Sequence, residues 1–285
     1  MRFVFMADMQ LGMYATFSGL NEAGVAAYAA RDLRVWAVPP AEGFEWDARR
    51  YEEAVAVVNA MRPDLVMIGG DMIDDPNAED QYDEFMRISQ TVDDDIPVHW
   101  LPGNHDVAPD TVVPTPESVD TYRAAFGPDY YAVDHGPVRF ICLNTPVIDH
   151  PEYVPDELTA QLEFLEAQLA EATARGLEPI IAGHHPLFLE SADEPDSYWN
   201  LPNPQRKRIL ELAHGNGVRL ILGAHWHRNR IAVDGDLEMV TTGPVGYPLG
   251  QDPSGLRVVE IRDGVLSHRY EPIGDGYGSH AREGG

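Results

Sequence analysis

Cysteine and lysine occur once each in the 285-residue chain, as Cys142 and Lys207. A single cysteine excludes an intramolecular disulfide, which fits a reducing compartment, and the expected location is cytoplasmic. Cys142 lies in the apolar run from Val138 to Leu143, where a free thiol behaves as a small, inert, buried hydrophobe. Positive charge is scarce: 20 Lys and Arg stand against 47 Asp and Glu, for a formal net charge of −27. Such a surface repels nucleic acid and anionic membranes, both of which need basic patches, so a nuclease is disfavoured. Long apolar runs are also missing. Nothing approaches the ~20 residues of a membrane span. The run from Phe3 to Ala7 is too short for a signal segment and is interrupted by Asp8. The expectation is a soluble, non-secreted protein with neither nucleic acid nor membrane as a partner. Apolar residues still make up 44% of the chain, enough for a large α/β core.

Apolar runs of strand length recur at Phe3 to Ala7, Leu65 to Ile68, Val98 to Leu101, Val138 to Leu143, Pro179 to Ala182 and Val218 to Leu222. Each is bounded by Gly, Pro or Asp and reads as a strand buried on both faces. Helical patterns lie between them. The clearest runs from Glu157 to Arg175, with Leu158, Leu162, Leu165 and Leu169 on one stripe, Asp156 as N-cap and Gly176 as C-cap. Tyr51 to Met61 and Gln205 to His214 are also helix-like. The last third changes to short strands, Arg230 to Val233, Leu237 to Thr242, Leu256 to Ile261 and Val265 to Tyr270, with hairpin signals at Asp234-Gly235 and Asp263-Gly264. The order is βα units first and a β meander last, expected as a single domain over 1–273. Residues 13–47, rich in aromatics, form an insertion that is either an active-site rim or plain packing. Glu190 to Pro204, with Tyr198 and Trp199, reads as a second rim loop, and 274–285 as a flexible tail.

Five short polar clusters each follow one of the predicted strands. They are Asp8-Met9-Gln10, Gly70-Asp71, Gly103-Asn104-His105-Asp106, Gly183-His184-His185-Pro186 and Gly223-Ala224-His225-Trp226-His227. Asp8 and Gln10, two apart, can offer a carboxylate and an amide oxygen on one side of the chain. The glycines before Asp71 let the backbone turn and bring its carboxylate inward. Alternation aims His225 and His227 the same way. Taken singly, each cluster has a plainer reading as a strand-end turn, a helix cap or a pair of core histidines. Asp74 and Asp75 read as the start of the next helical segment. Together the clusters supply carboxylates, amide oxygens and imidazoles, a set able to hold two divalent metals side by side.

Five such clusters in this order resemble the calcineurin-like metallophosphoesterases over nearly the whole chain. The resemblance implies an α/β fold, a four-layer α/β/β/α sandwich of two mixed sheets flanked by helices. It implies two divalent ions (Mn, Fe, Zn or Mg), with Asp8, Gln10 and His227 on the first, Asn104, His184 and His225 on the second, and Asp71 bridging both. His185 would be a neighbour without a ligand role. His105 would act as general acid toward the leaving oxygen, and Asp106 would accept a hydrogen bond from the His105 ring. Most of the superfamily carries His at the Gln10 position, and the harder amide oxygen here leans toward Mn, Mg or Fe over Zn. Asp8-Met9-Gln10, His225-Trp226-His227-Arg228-Asn229 and the stretch Thr241 to Gly255 further resemble the calcineurin-like phosphoesterase domain-containing protein 1 branch of serine/threonine phosphatases. The expected activity is that of a phosphomonoesterase on a phosphorylated small molecule or phosphoprotein, with a water activated between the ions as nucleophile. A phosphodiesterase on cyclic nucleotides or small diesters would use the same residues. A non-catalytic scaffold on the same fold is the alternative of another class.

Overall fold

The computed structural model describes residues 1–108 and 113–274. The first sheet has the order β11-β10-β1-β2-β3, built from Val265–Pro272, Gly255–Arg262, Arg2–Met6, Leu65–Ile68 and Val98–Trp100. The second has the order β4-β5-β6-β7-β9-β8, built from Tyr131–His135, Val138–Cys142, Glu178–Ala182, Leu220–Gly223, Leu237–Thr241 and Arg230–Asp234. In the first sheet β1, β2 and β3 run parallel; in the second, β5, β6, β7 and β9 do. The expected closing meander is divided: β8 and β9 join the second sheet, whereas β10 and β11 join the first beside β1. The two turn signals hold within each pair, with Gly235 at φ 62° and Asp263 and Gly264 at φ 52° and 76°.

Side-chain alternation along the strands makes the layers. Phe3, Phe5, Met67 and Val259 point from the first sheet onto Phe140, Ile180, Leu220 and Val240 of the second, forming the inner core. Phe3 and Phe140 meet edge to face at 4.8 Å. The intervening residues Val4, Met6, Val66 and Ile68 point outward onto helices α3 (Glu45–Met61), α4 (Glu79–Ser89) and α6 (Pro116–Phe126), which follow the short α1 (Met13–Phe17), α2 (Glu22–Ala29) and α5 (Asn104–Val107) in this numbering. On the other side Ile141, Ile181 and Ile221 meet α8 (Pro155–Arg175) and α9 (Asn203–Gly215), with α7 (Thr145–Asp149) at the edge. The result is the α/β/β/α sandwich expected. Cys142 is buried between the sheets, and burial pushes its thiol up to about 12.

Helix α8 carries its stripe as read, with Leu165 and Leu169 fully buried and Leu158 and Leu162 partly so. Gly176 closes it in the left-handed region at φ 65°. Its N-cap is Val154, not Asp156; Pro155 takes the first helical position, so Asp156 falls in the first turn, where its charge complements the helix dipole. The expected helix start at Asp74 and Asp75 is likewise displaced to Glu79, because both aspartates are used in the loop before it. The expected tail lies, beyond Gly274, outside the described residues. Among the described residues no helix is long and apolar enough to cross a membrane.

Leu165 tests the outer core. Leu165→Ala should lower the unfolding free energy by about 2–5 kcal/mol. Val233→Ala, on the exposed face of edge strand β8, should change it by no more than about 0.5 kcal/mol. Urea titration of both variants makes the comparison.

Candidate metal centre

Every one of the five clusters sits at the carboxyl end of a parallel strand. Asp8 and Gln10 follow β1, Asp71 follows β2, Asn104 and His105 follow β3, His184 follows β6, and His225 and His227 follow β7. Open α/β sheets collect ligands at this edge, and here the edges of both sheets meet. Backbone bonds sew the clusters together: Asp8 N donates to Gly70 O at 3.0 Å, Gln10 N to Asp71 O at 2.9 Å and Ala224 N to His184 O at 2.7 Å. The loops approach so closely that a Cβ on Gly103 would collide with the Asp71 carboxylate. Eight non-glycine residues have positive φ among the described residues, and five of them are Asp8, Gln10, Asp71, His225 and His227. Backbone held in this sparsely populated region concentrates at functional sites.

Two groups of donor atoms converge. Asp71, His184 and His225 form one, and Asp8, Asp71 and His227 the other; within each, one ligand atom per residue lies within 4.8 Å of the rest. Asp71 belongs to both. Each imidazole is aimed by a backbone carbonyl that accepts from its other nitrogen. His184 Nδ1 is 2.8 Å from Gly69 O, His227 Nδ1 is 2.7 Å from Tyr247 O, and His225 Nε2 is 3.0 Å from Tyr198 O. A hydrogen bond at one ring nitrogen settles which nitrogen is left to ligate. That leaves Nε2 of His184 and His227 and Nδ1 of His225 for the centre. Three buried oxygens there have no hydrogen-bond partner, Asp8 Oδ2, Gln10 Oε1 and Asn104 Oδ1, and His184 Nε2 faces only the Asp71 carboxylate, at 3.1 Å. Unpartnered buried donors and acceptors are costly, and hard oxygens beside imidazoles suit divalent ions. The residues therefore fit the binuclear metal group.

The charges agree with that fit. In the metal-free centre burial raises the Asp8 carboxyl to about 8, opposed by His184 and reinforced by Asp71. Burial opposes ionisation of Asp71 too, but His184 and His105 outweigh it and hold Asp71 well below the usual carboxylate range. His184 is disfavoured as a cation by burial yet held up at about 9 by Asp71, whose Oδ2 lies 3.1 Å from its Nε2. Burial and the neighbouring His184 push His225 down to about 3, and burial brings His227 to about 4. Both are thus neutral, the form that ligates metal. His185, also buried, stands outside both groups; its Nδ1 meets Thr145 Oγ1 at 3.1 Å.

The acid pair departs from the expectation. Asp106 makes no hydrogen bond to the His105 ring. Its carboxylate accepts from Asp71 N at 2.7 Å, Met72 N at 3.0 Å and Gly103 N at 2.7 Å, so it clamps the loops after β2 and β3 together. The first turn of α5 separates the two side chains, pointing Asp106 into the protein and His105 toward the cleft. The ring partner is Asp74: its carbonyl oxygen lies 2.7 Å and its carboxylate 3.7 Å from His105 Nδ1. Burial disfavours the His105 cation, but Asp71 and the Asp74 carbonyl outweigh it and raise its pKa. Gln10 Nε2 bridges Asp74 Oδ1 at 2.9 Å and His105 Nε2 at 3.1 Å.

A cleft of about 490 Å³ opens on the centre, lined by Gln10, Asp71 and His105 and walled by Phe17, Tyr28 and Trp199. Phe17 and Tyr28 of the segment 13–47 and Tyr198 and Trp199 of the loop 190–204 line it, and the aromatics of the first segment also pack against Tyr247. Glu194 builds the second loop by accepting from Leu189 N, Glu190 N and Ser191 N and from Asn200 Nδ2. Fully buried Arg206 pins that loop through Asp196 and the Glu194 carbonyl. The same loop presents the Tyr198 carbonyl to His225. Sequence reasoning missed Asp74, the Tyr198 carbonyl and Thr145, whose hydroxyl accepts from His184 N and His185 N. Only Asp74 left a trace, as a carboxylate close behind Asp71.

Fold and donor set together define a metallophosphoesterase. Residues 1–229 match the family model for calcineurin-like phosphoesterases, and the chain belongs to that family as a hydrolase of phosphoric esters. It is similar to the serine/threonine-protein phosphatase CPPED1 of Pongo abelii, at 34% identity over 84% of this chain and 79% of the relative. The human protein of that name is 33% identical over the same shares. The fold is also that of a dimetal phosphatase from Danio rerio, with a TM-score of 0.66, 15% identity and 96% of each chain covered. It is shared as well by GAP50, the anchor in the inner membrane complex of Plasmodium, with a TM-score of 0.57, 13% identity and 95% and 84% covered.

Two outcomes follow from these charges. Near neutral pH the metal-free centre holds protons on Asp8 and His184, so loading must expel them. Calorimetry of manganese binding in two buffers of different ionisation enthalpy should show proton release, and affinity should climb as pH rises toward about 9. Equal heats in the two buffers would contradict this. Asp74→Asn should lower the His105 pKa and so move the alkaline limb of activity to lower pH. Asp106→Asn, which disturbs three buried backbone bonds, should instead lower stability by about 2–4 kcal/mol. A pH-rate profile and a thermal melt of each variant separate the two roles.

Proposed function

We propose that the chain is a phosphomonoesterase acting on phosphoserine or phosphothreonine, with two divalent ions held around Asp71. The observation that carries the reading is the shared position of Asp71 in both donor groups, beside three unpartnered buried oxygens. Asp8, Gln10 and His227 would hold one ion and Asn104, His184 and His225 the other. Gln10 Oε1 is buried without a partner, in keeping with a ligand role, and favours Mn, Mg or Fe over Zn. When bound, such a pair lowers the pKa of a water and offsets charge on the phosphoryl oxygens.

The protein supplies the rest. Asp74 O accepts from Nδ1 of His105, so Nε2, which accepts from Gln10 Nε2 at 3.1 Å, is the ring nitrogen on the cleft that takes up a proton when the imidazole becomes a cation. His105 then protonates the departing alkoxide, a step that the poor leaving groups serine and threonine require. Asp74 keeps the ring oriented and favours its cation. Asp8, Asp71, His184, His225 and His227 are buried, which strengthens the charge interactions among them. The likeness to the CPPED1 phosphatases supports the phosphoprotein substrate.

His105→Ala should retain the metal content of the wild type. Hydrolysis of a phosphoserine peptide should fall roughly 10²–10⁴-fold, while 4-nitrophenyl phosphate, whose phenolate leaves without a proton, should lose far less. Equal losses on both substrates, or loss of metal, would remove His105 from the acid role. Faster turnover of bis(4-nitrophenyl) phosphate than of the monoester and the phosphopeptide by wild type would favour a phosphodiesterase instead.

A further inference from the structure

Most arginines of this acidic chain are committed to carboxylates, among them Arg50, Arg62, Arg87 and Arg139. Arg31 is not. It lies just beyond α2, lines the cleft that contains His105, and has no carboxylate at ion-pair distance among the described residues. Its neighbour Asp32 does not neutralise it, because that carboxylate is 3.2 Å from Arg228 Nη1. Arg31 Cζ stands 6.0 Å from the centroid of the Tyr28 ring.

The turn that presents Arg31 is built. Arg31 N and Leu33 N both donate to Tyr28 O, Arg34 N donates to Leu249 O, and Arg228 binds both Leu249 O and the Asp32 carbonyl. The Tyr28 ring meets Phe17 edge to face at 5.2 Å, and Phe17 stacks on the buried Tyr247 at 5.4 Å. Tyr247 is the residue whose carbonyl aims His227. An aromatic wall thus runs from the metal centre outward and ends at an uncommitted guanidinium. The other titratable side chains of the metal centre that line this cleft are Asp71, Asp74, His105, His225 and His227.

We propose that Arg31, with Tyr28 and Phe17, forms a subsite for a second anionic group on the substrate. The matching substrate is a phosphoester whose leaving group has an apolar or planar portion and, beyond it, a carboxylate or further phosphate. This rests on the phosphomonoesterase reading: the leaving group that His105 protonates enters the cleft that Arg31 lines. A guanidinium binds such an anion through paired, charge-assisted hydrogen bonds.

The test compares phenyl phosphate with 4-carboxyphenyl phosphate on manganese-loaded wild type and Arg31→Met. Arg31 is exposed, so the substitution leaves the core intact. KM for the carboxylated ester should rise about five- to tenfold with kcat little changed, as expected for one partly exposed charge-assisted contact. KM for phenyl phosphate should move by less than about twofold, the range of an ordinary surface substitution. Arg31→Glu should reverse the preference. Equal changes on both esters, or none on either, would overturn the subsite. Binding of benzylphosphonate and its 4-carboxy derivative, followed by calorimetry, needs no turnover. If neither ester is hydrolysed but the carboxylated phosphonate still loses affinity in Arg31→Met, the phosphomonoesterase reading fails and the subsite stands. If the two phosphonates respond alike, the subsite fails.

Discussion

Two carboxylates buried side by side govern this structure. Asp8 and Asp71 are shut off from solvent where the two sheets meet, close enough to share one cation site with His227. Removing two like charges from water is costly, and their mutual repulsion adds to it. Burial accordingly raises the Asp8 carboxyl, and Asp71 raises His184. His184 Nε2 lies 3.1 Å from Asp71 Oδ2, so the ligating nitrogen and the shared carboxylate face one another directly. Metal affinity, pH dependence and local stability are thus one linked equilibrium.

The fold supports that arrangement at a cost in backbone freedom. Left-handed backbone at Asp8, Gln10, Asp71, His225 and His227 turns side chains inward at the strand ends, and the clamp by Asp106 holds two of the loops in contact. Carbonyls of Gly69, Tyr198 and Tyr247 then choose the ligating nitrogens. Two of these carbonyls belong to residues of the aromatic surround: Tyr198 lines the cleft and the Tyr247 ring backs Phe17. Two of the three orienting carbonyls thus come from segments that line or back the cleft.

Much of this was legible in the residues. Doubly buried strands such as Leu65–Ile68 read cleanly, because a continuous apolar run between turn residues has few other homes. The clusters were recognisable because every candidate ligand side chain lies just beyond the carboxyl end of a strand. Three things were not legible. The division of the last four strands between the sheets depends on β10 finding β1 across more than 250 residues, which no local pattern records. The exchange of roles between Asp106 and Asp74 depends on the direction of a single helical turn, since both carboxylates are close to His105 in sequence or space. Backbone carbonyls such as Tyr198 O carry no residue signature at all, and Arg31 looked like one arginine among many until its turn was placed on the cleft.

The account stands on Asp71 serving two ions at once. Crystals of manganese-reconstituted protein, with anomalous data collected at the manganese edge, test it directly. Two peaks per chain are predicted, both at about 2.0–2.6 Å from oxygens of the Asp71 carboxylate, one toward His227 and the other toward His184 and His225. A single peak, or a second ion that does not touch Asp71, would contradict it.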